Sequence, residues 1–149
     1  MRVRGKMAQW VLLLAGIMIL GTPVYGEEKY TVSGVVTFSE GEVVFVSLYT
    51  QDRFKDFKNS PLPPKPYTQI LELSAEQKKT GRAEFVFKGI PKGTYGVIAF
   101  REMKRNLKRD QSHYFNEPVS NYKMIAFSGK WSDIKFDVNR DVRGIEIRF

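Results

Sequence analysis

The chain has 149 residues, with 24 Lys+Arg against 16 Asp+Glu, a formal net charge of +8, one His and no Cys. That length suits one domain, and 42% hydrophobic with 13% aromatic residues supplies enough apolar surface for a packed core, which argues against wholesale disorder. The missing cysteines exclude disulfides, thiolate zinc sites, a Cys nucleophile and a thioether lipid anchor, and one His excludes a multi-histidine metal site.

The N-terminus carries Arg2, Arg4 and Lys6, then an uninterrupted apolar run over residues 10–20, then Gly21, Thr22, Pro23, Val24, Tyr25 and Gly26 ahead of Glu27 and Glu28. A cationic start, a short apolar middle and small residues near the cut are the order a secretory signal needs. Val24 and Gly26 suit the −3 and −1 positions, and Pro23 ends the helix before them. The apolar run is too short for a membrane anchor, which takes about 20 residues. The expectation is a signal peptide over 1–26, cleavage after Gly26, and a domain over 27–149 delivered to the periplasm or the medium. Without a second apolar span, it has no stable membrane insertion after cleavage.

Beyond residue 27 the dominant period is two. Tyr30, Val32, Gly34, Val36 and Phe38 alternate with Thr31, Ser33, Val35 and Thr37. The run Val43–Tyr49 is apolar on both faces for several residues, which predicts a strand inside a sheet. Residues 68–73 form a weaker strand, and Ser74 three residues before Gln77 matches a capping box for a helical turn. Residues 83–87 and 94–100 read as a hairpin across Gly89, Ile90, Pro91, Lys92 and Gly93, with Gly93 free to take positive φ. The last pair alternates Ile134, Phe136 and Val138, then Ile145, Ile147 and Phe149, and reads as a second hairpin across Asn139, Arg140 and Asp141. About seven extended segments with one greasy face each predict an all-β, antiparallel sandwich, with a single barrel as the alternative that period alone does not separate.

Two long connections interrupt the strands. Over 50–67, Phe54 and Phe57 are spaced to share one side of a helical turn and are expected to plug an end of the sandwich. Pro61, Pro63, Pro64 and Pro66 predict a stiff, extended approach to Tyr67. The second connection, 101–118, holds Arg101, Lys104, Arg105, Lys108 and Arg109 against Glu102 alone before Asp110. Such a local positive field attracts anionic polymers or the acidic face of a cell-envelope protein. His113 and Tyr114 lie in the same segment, and Tyr114 with Phe115 offers base-stacking surface beside the cations. Export argues against nucleic acid as the partner. The competing reading is a solvated loop whose charge aids solubility only.

The stretch from Phe87 through Gly89, Ile90, Pro91, Gly93 and Tyr95 to Phe100 resembles the Phe-x-x-Leu-Pro-x-Gly-x-Tyr hairpin of transthyretin-like and carboxypeptidase-regulatory-like sandwiches. With the opening Gly-x-Val strand, the Val-x-Leu-Tyr strand and the final Asp-x-Lys-Phe-x-Val strand, residues 30–149 resemble the secreted bacterial family catalogued as domain of unknown function 2141. The resemblance implies an immunoglobulin- or transthyretin-like sandwich, export, and no established activity. Family members often carry an oxygen-rich, calcium-loop-like stretch after this hairpin. Here Glu102, Asn106 and Asp110 keep oxygen-bearing side chains, but Lys104 takes an amide position and Arg105, Leu107 and Arg109 displace smaller or apolar residues. An ammonium in a ligand ring repels a divalent ion, so no metal and no cofactor is expected, and a calcium-stabilised structural domain ranks as a distant alternative.

Catalytic signatures are thin. A Ser-His-Asp device would need His113, Asp110 and Ser112 or Ser120 from one loop, with no elbow motif around either serine. The urate-pathway hydrolases of transthyretin-like fold use several histidines and a C-terminal Tyr-Arg-Gly-Ser, neither of which this chain has. A carboxylate pair such as Glu102 and Glu117 carries little signal among 16 acids. The leading expectation is a non-enzymatic binding or interaction module. The alternative from another class is a hydrolase with a loop-built cleft that uses carboxylates or the single His.

Overall fold

The computed structural model describes residues 26–56, 60–102, 118–123 and 130–149. The expected signal peptide, apart from Gly26, lies outside them, as does Phe57. The described chain runs β1 (Lys29–Thr37), β2 (Val43–Tyr49), α1 (Gln51–Phe54), β3 (Thr68–Glu72), α2 (Ala75–Thr80), β4 (Arg82–Pro91), β5 (Gly93–Glu102), β6 (Val119–Asn121), α3 (Trp131–Ile134), β7 (Lys135–Val138) and β8 (Val142–Arg148). The strands form two sheets. One is three-stranded in the order β4-β1-β8; the other is five-stranded, with β3-β2-β5-β6 in line and β7 beside β5. The fold is an all-β sandwich. Among the described residues one pair, β1 with β8, is parallel and departs from the purely antiparallel expectation, whereas β1 with β4 and the pairs of the larger sheet are antiparallel.

Between the sheets lies the main core. Val32, Val36, Ala83, Phe85, Phe87, Ile145 and Ile147 face Val44, Val46, Leu48, Tyr95, Val97, Ala99 and Val138. Each set falls at alternate positions, which is the pleat turning period two into one buried face. Gly34 occupies the centre of β1 because a Cβ there would collide with the backbone carbonyl of Ile145 on β8.

The larger sheet is covered on its outer face as well. Val43, Phe45, Tyr49, Ile98 and Phe100 pack under Phe54 of α1 and Ile134 of α3, with Leu62, Ile70 and Trp131 around them. This second layer explains why all 7 residues of β2 are buried, as its two-sided apolar run predicts. It also corrects the expectation for Phe54, which covers the face of a sheet rather than an end of the sandwich; its ring centroid is 5.4 Å from that of Trp131. The approach to β3 is likewise not simply extended: the Tyr67 N–H donates to Pro64 O at 2.8 Å across a turn containing a cis Lys65–Pro66 bond.

Both expected hairpins are instead corners. Strand β4 bonds β1 while β5 bonds β2, and β7 bonds β5 while β8 bonds β1. The turn residues do specify reversals, but a reversal that crosses from one sheet to the other uses the same Gly, Pro and Asn chemistry as one that stays within a sheet. At the β4–β5 corner Gly89, not Gly93, adopts positive φ (72°). The corner is tied by Tyr95, whose hydroxyl donates to Pro91 O at 3.0 Å, the local bond that Greek-key sandwiches use at such corners. Helix α2 begins with the expected capping box: Ser74 Oγ accepts from Gln77 N–H at 3.2 Å and Gln77 Oε1 accepts from Ser74 N–H at 2.9 Å. Gly81 closes it in the left-handed region at φ 64°.

Candidate functional site

Strand β5 continues through Arg101 and Glu102, so the cationic connection begins two residues later than its charge pattern indicates. The inner-face positions Tyr95, Val97 and Ala99 place Arg101 next in the same row, at the end of the interior. Arg101 is only 8% exposed. Its backbone is held on both sides, by the register Val44↔Arg101 and by donation of the Arg101 N–H to Pro118 O at 3.0 Å. The side chain crosses toward the smaller sheet, where its guanidinium carbon sits 5.2 Å from the centroid of the Phe149 ring. Nη1 donates to the exposed Ser39 Oγ at 3.4 Å, in the β1–β2 turn. Gly41 of that turn lies against the stem; a Cβ there would meet Arg101 Cγ at 2.9 Å.

Nε of Arg101 is buried without a hydrogen-bond partner. A buried guanidinium normally meets a carboxylate or several acceptors, because removal from water costs more than a single long hydrogen bond returns. Among the described residues, Arg101 takes part in none of the ion pairs, which join Lys55 to Asp52, Lys78 to Glu42, Arg143 to Asp141 and Arg148 to Glu146. The cation–π contact and Ser39 are what the site offers. In the sequence Arg101 is one of five loop cations; the period-two row running 95, 97, 99, 101 is the signal that sets it apart.

Glu102 lies on the other side of the strand and is 2% exposed. It therefore does not share a site with Arg101. Lys104, Arg105, Asn106, Lys108, Arg109, Asp110, His113, Tyr114 and Glu117 lie outside the described residues. What the structure shows of their segment is its base. Antiparallel pairing of Phe100 with Val119 and Ile98 with Asn121 sets Glu102 and Pro118, the described residues on either side of 103–117, at one corner of the larger sheet. The β1–β2 turn and Phe149 stand at that same end.

An open trough of about 580 Å³ lies elsewhere, along the edge strands β3 and β4, with Lys65, Glu72 and Lys88 among its lining. Gln69 spans it, its Oε1 accepting from Val86 N–H at 2.8 Å. The opposite side of the sandwich has a matching strut, Ser120 Oγ donating to Arg148 O at 2.6 Å. Among the described residues, no three His, Asp or Glu side chains form a group that would hold a metal ion.

The chain matches no protein-family model, no curated protein and no solved structure. Among the described residues no helix is long and apolar enough to cross a membrane. The functional reading therefore rests on the residues themselves and on the architecture that carries them.

Proposed function

We propose that this chain is an exported, non-enzymatic binding module that engages an anionic polymer, or an equally acidic face of a cell-envelope protein, through the segment 101–118. On this reading it is a relative of the secreted family named above, with a sandwich of immunoglobulin or transthyretin type. The observation that carries the proposal is the base of the segment. The Arg101 N–H to Pro118 O bond and the short strand β6 clamp both ends of a stretch rich in Lys and Arg onto one buried strand. A rigid scaffold presenting a charged connection is how many binding proteins place their recognition residues, and clustered cations raise both the association rate and the local concentration of an anionic ligand. Export is supported by the cationic, apolar, small-residue order of residues 1–26.

The test is retention on heparin and dextran sulfate columns. Reversing Lys104, Arg105, Lys108 and Arg109 to Glu together is expected to move elution to low salt or into the flow-through, because each lost contact removes counter-ion release. Wild-type protein that fails to bind, or a variant that elutes with it, overturns the proposal.

A further inference from the structure

Arg101 is the buried charge that the fold does not explain. Its fork is only partly engaged. Nη1 is turned to Ser39 at 3.4 Å, one flat face is covered by the Phe149 ring, and Nε has no acceptor. The edge formed by Nε and Nη2 is the one a carboxylate, sulfate or phosphate takes when it pairs side-on with arginine through two parallel hydrogen bonds. The groups around it come from three parts of the chain: the β1–β2 turn, the end of β5 and the residue following β8. Glu40 and Glu42 of that turn and Glu102 of β5 lie in these parts, yet among the described residues none is in an ion pair with Arg101.

We infer that Arg101 is the anchor of a small oxyanion-binding site at this end of the sandwich, formed with Ser39 and floored by Phe149. The ligand would be a single oxyanion group held in the plane of the guanidinium once the fork has shifted. Phe149 closes the ring-facing side, the Ser39 hydroxyl stands at the solvent rim, and Gly41 lets the turn lie on the arginine stem. Nε is shut off from solvent, so entry requires the fork to shift. The bound anion then satisfies the donor that the protein leaves unmet. The site goes beyond the polymer-binding reading, because it uses none of Lys104, Arg105, Lys108 or Arg109 and stands if that reading fails.

The experiment follows the Arg101 Nε–H resonance of the isolated protein, identified by its loss in R101K, while sodium sulfate or sodium acetate is added. Sodium chloride at matched ionic strength is the control. A saturable shift with sulfate or acetate and none with chloride is expected, together with a Tm rise of roughly 5 °C at about ten times Kd. The stronger arm identifies the ligand group, tetrahedral or planar. R101K, a point charge without a fork, should bind about tenfold more weakly or worse. R101M, an apolar near-isostere, should lose the anion dependence of Tm while remaining folded. The Lys104, Arg105, Lys108 and Arg109 reversal should keep it, which separates this site from the polymer surface. No shift in the wild-type resonance, or an equal response to chloride, overturns the proposal, as does an anion-dependent Tm that persists in R101M. The wild-type titration decides the matter even where a variant fails to fold.

Discussion

Tyr95 combines two jobs at one residue. Its ring belongs to the main core and lies 6.3 Å from that of Tyr67, while its hydroxyl fastens the β4–β5 corner. Burial first, then the neighbouring Tyr67 and the Glu27 charge, raise the Tyr95 phenol above its ordinary value near 10. A raised acid is one whose neutral form the folded state prefers. Its stabilising contribution is therefore complete below pH 10 and is lost as pH climbs through the folded-state value. Tyr95→Phe should cost about 1 kcal/mol at neutral pH, from the unmade bond to Pro91 O. It should also remove part of the alkaline loss of stability. Urea midpoints from neutral pH to pH 11 check both; parallel curves for the two proteins would show that the hydroxyl titrates no differently once folded.

At the scale of single elements, the short helices are stabilised for different reasons. α1 and α3 exist as lids: Phe54 and Ile134 are their buried residues, and both press on the outer face of the larger sheet. α2 has no buried residue at all. A six-residue helix is far below the length at which propensity sustains it in water, so its caps decide whether it forms. Ser74→Ala is expected to cost about 1 kcal/mol and to unfold α2 locally, seen as faster amide exchange at Lys78 and Gly81 with the sheets unaffected. The edge struts of Gln69 and Ser120 act at the same scale. Each occupies a backbone group of the smaller sheet that an intruding strand would otherwise use.

For the molecule as a whole, the decisive pairing is β1 with β8, in which Val32 stands opposite Val142 and Thr37 opposite Arg148. Contacts between such distant parts of the chain make folding slow, on a scale of milliseconds to seconds. Deleting residues 142–149 removes Ile145 and Ile147 from the core and leaves β1 as an open edge. The shortened chain should show no cooperative thermal transition; a normal transition would mean that β8 is an accessory strand. The strands themselves are legible in the sequence because alternation is local, and the place of β2 inside a sheet is legible because both of its faces are apolar. The partners are not. Asn139, Arg140 and Asp141 specify a bend, whereas the choice between β7 and β1 as the neighbour of β8 depends on faces more than a hundred residues apart. For the candidate site, net charge made the cationic segment visible, but only packing shows that Arg101 stands apart from the others.

The parallel seam has a bearing on biosynthesis. β4 gives β1 a partner early, but the other flank of β1 waits for β8, which follows every other described strand. The smaller sheet therefore closes only after β8 has been made. Until then that flank of β1 is an open edge, able to take up any strand that comes near it.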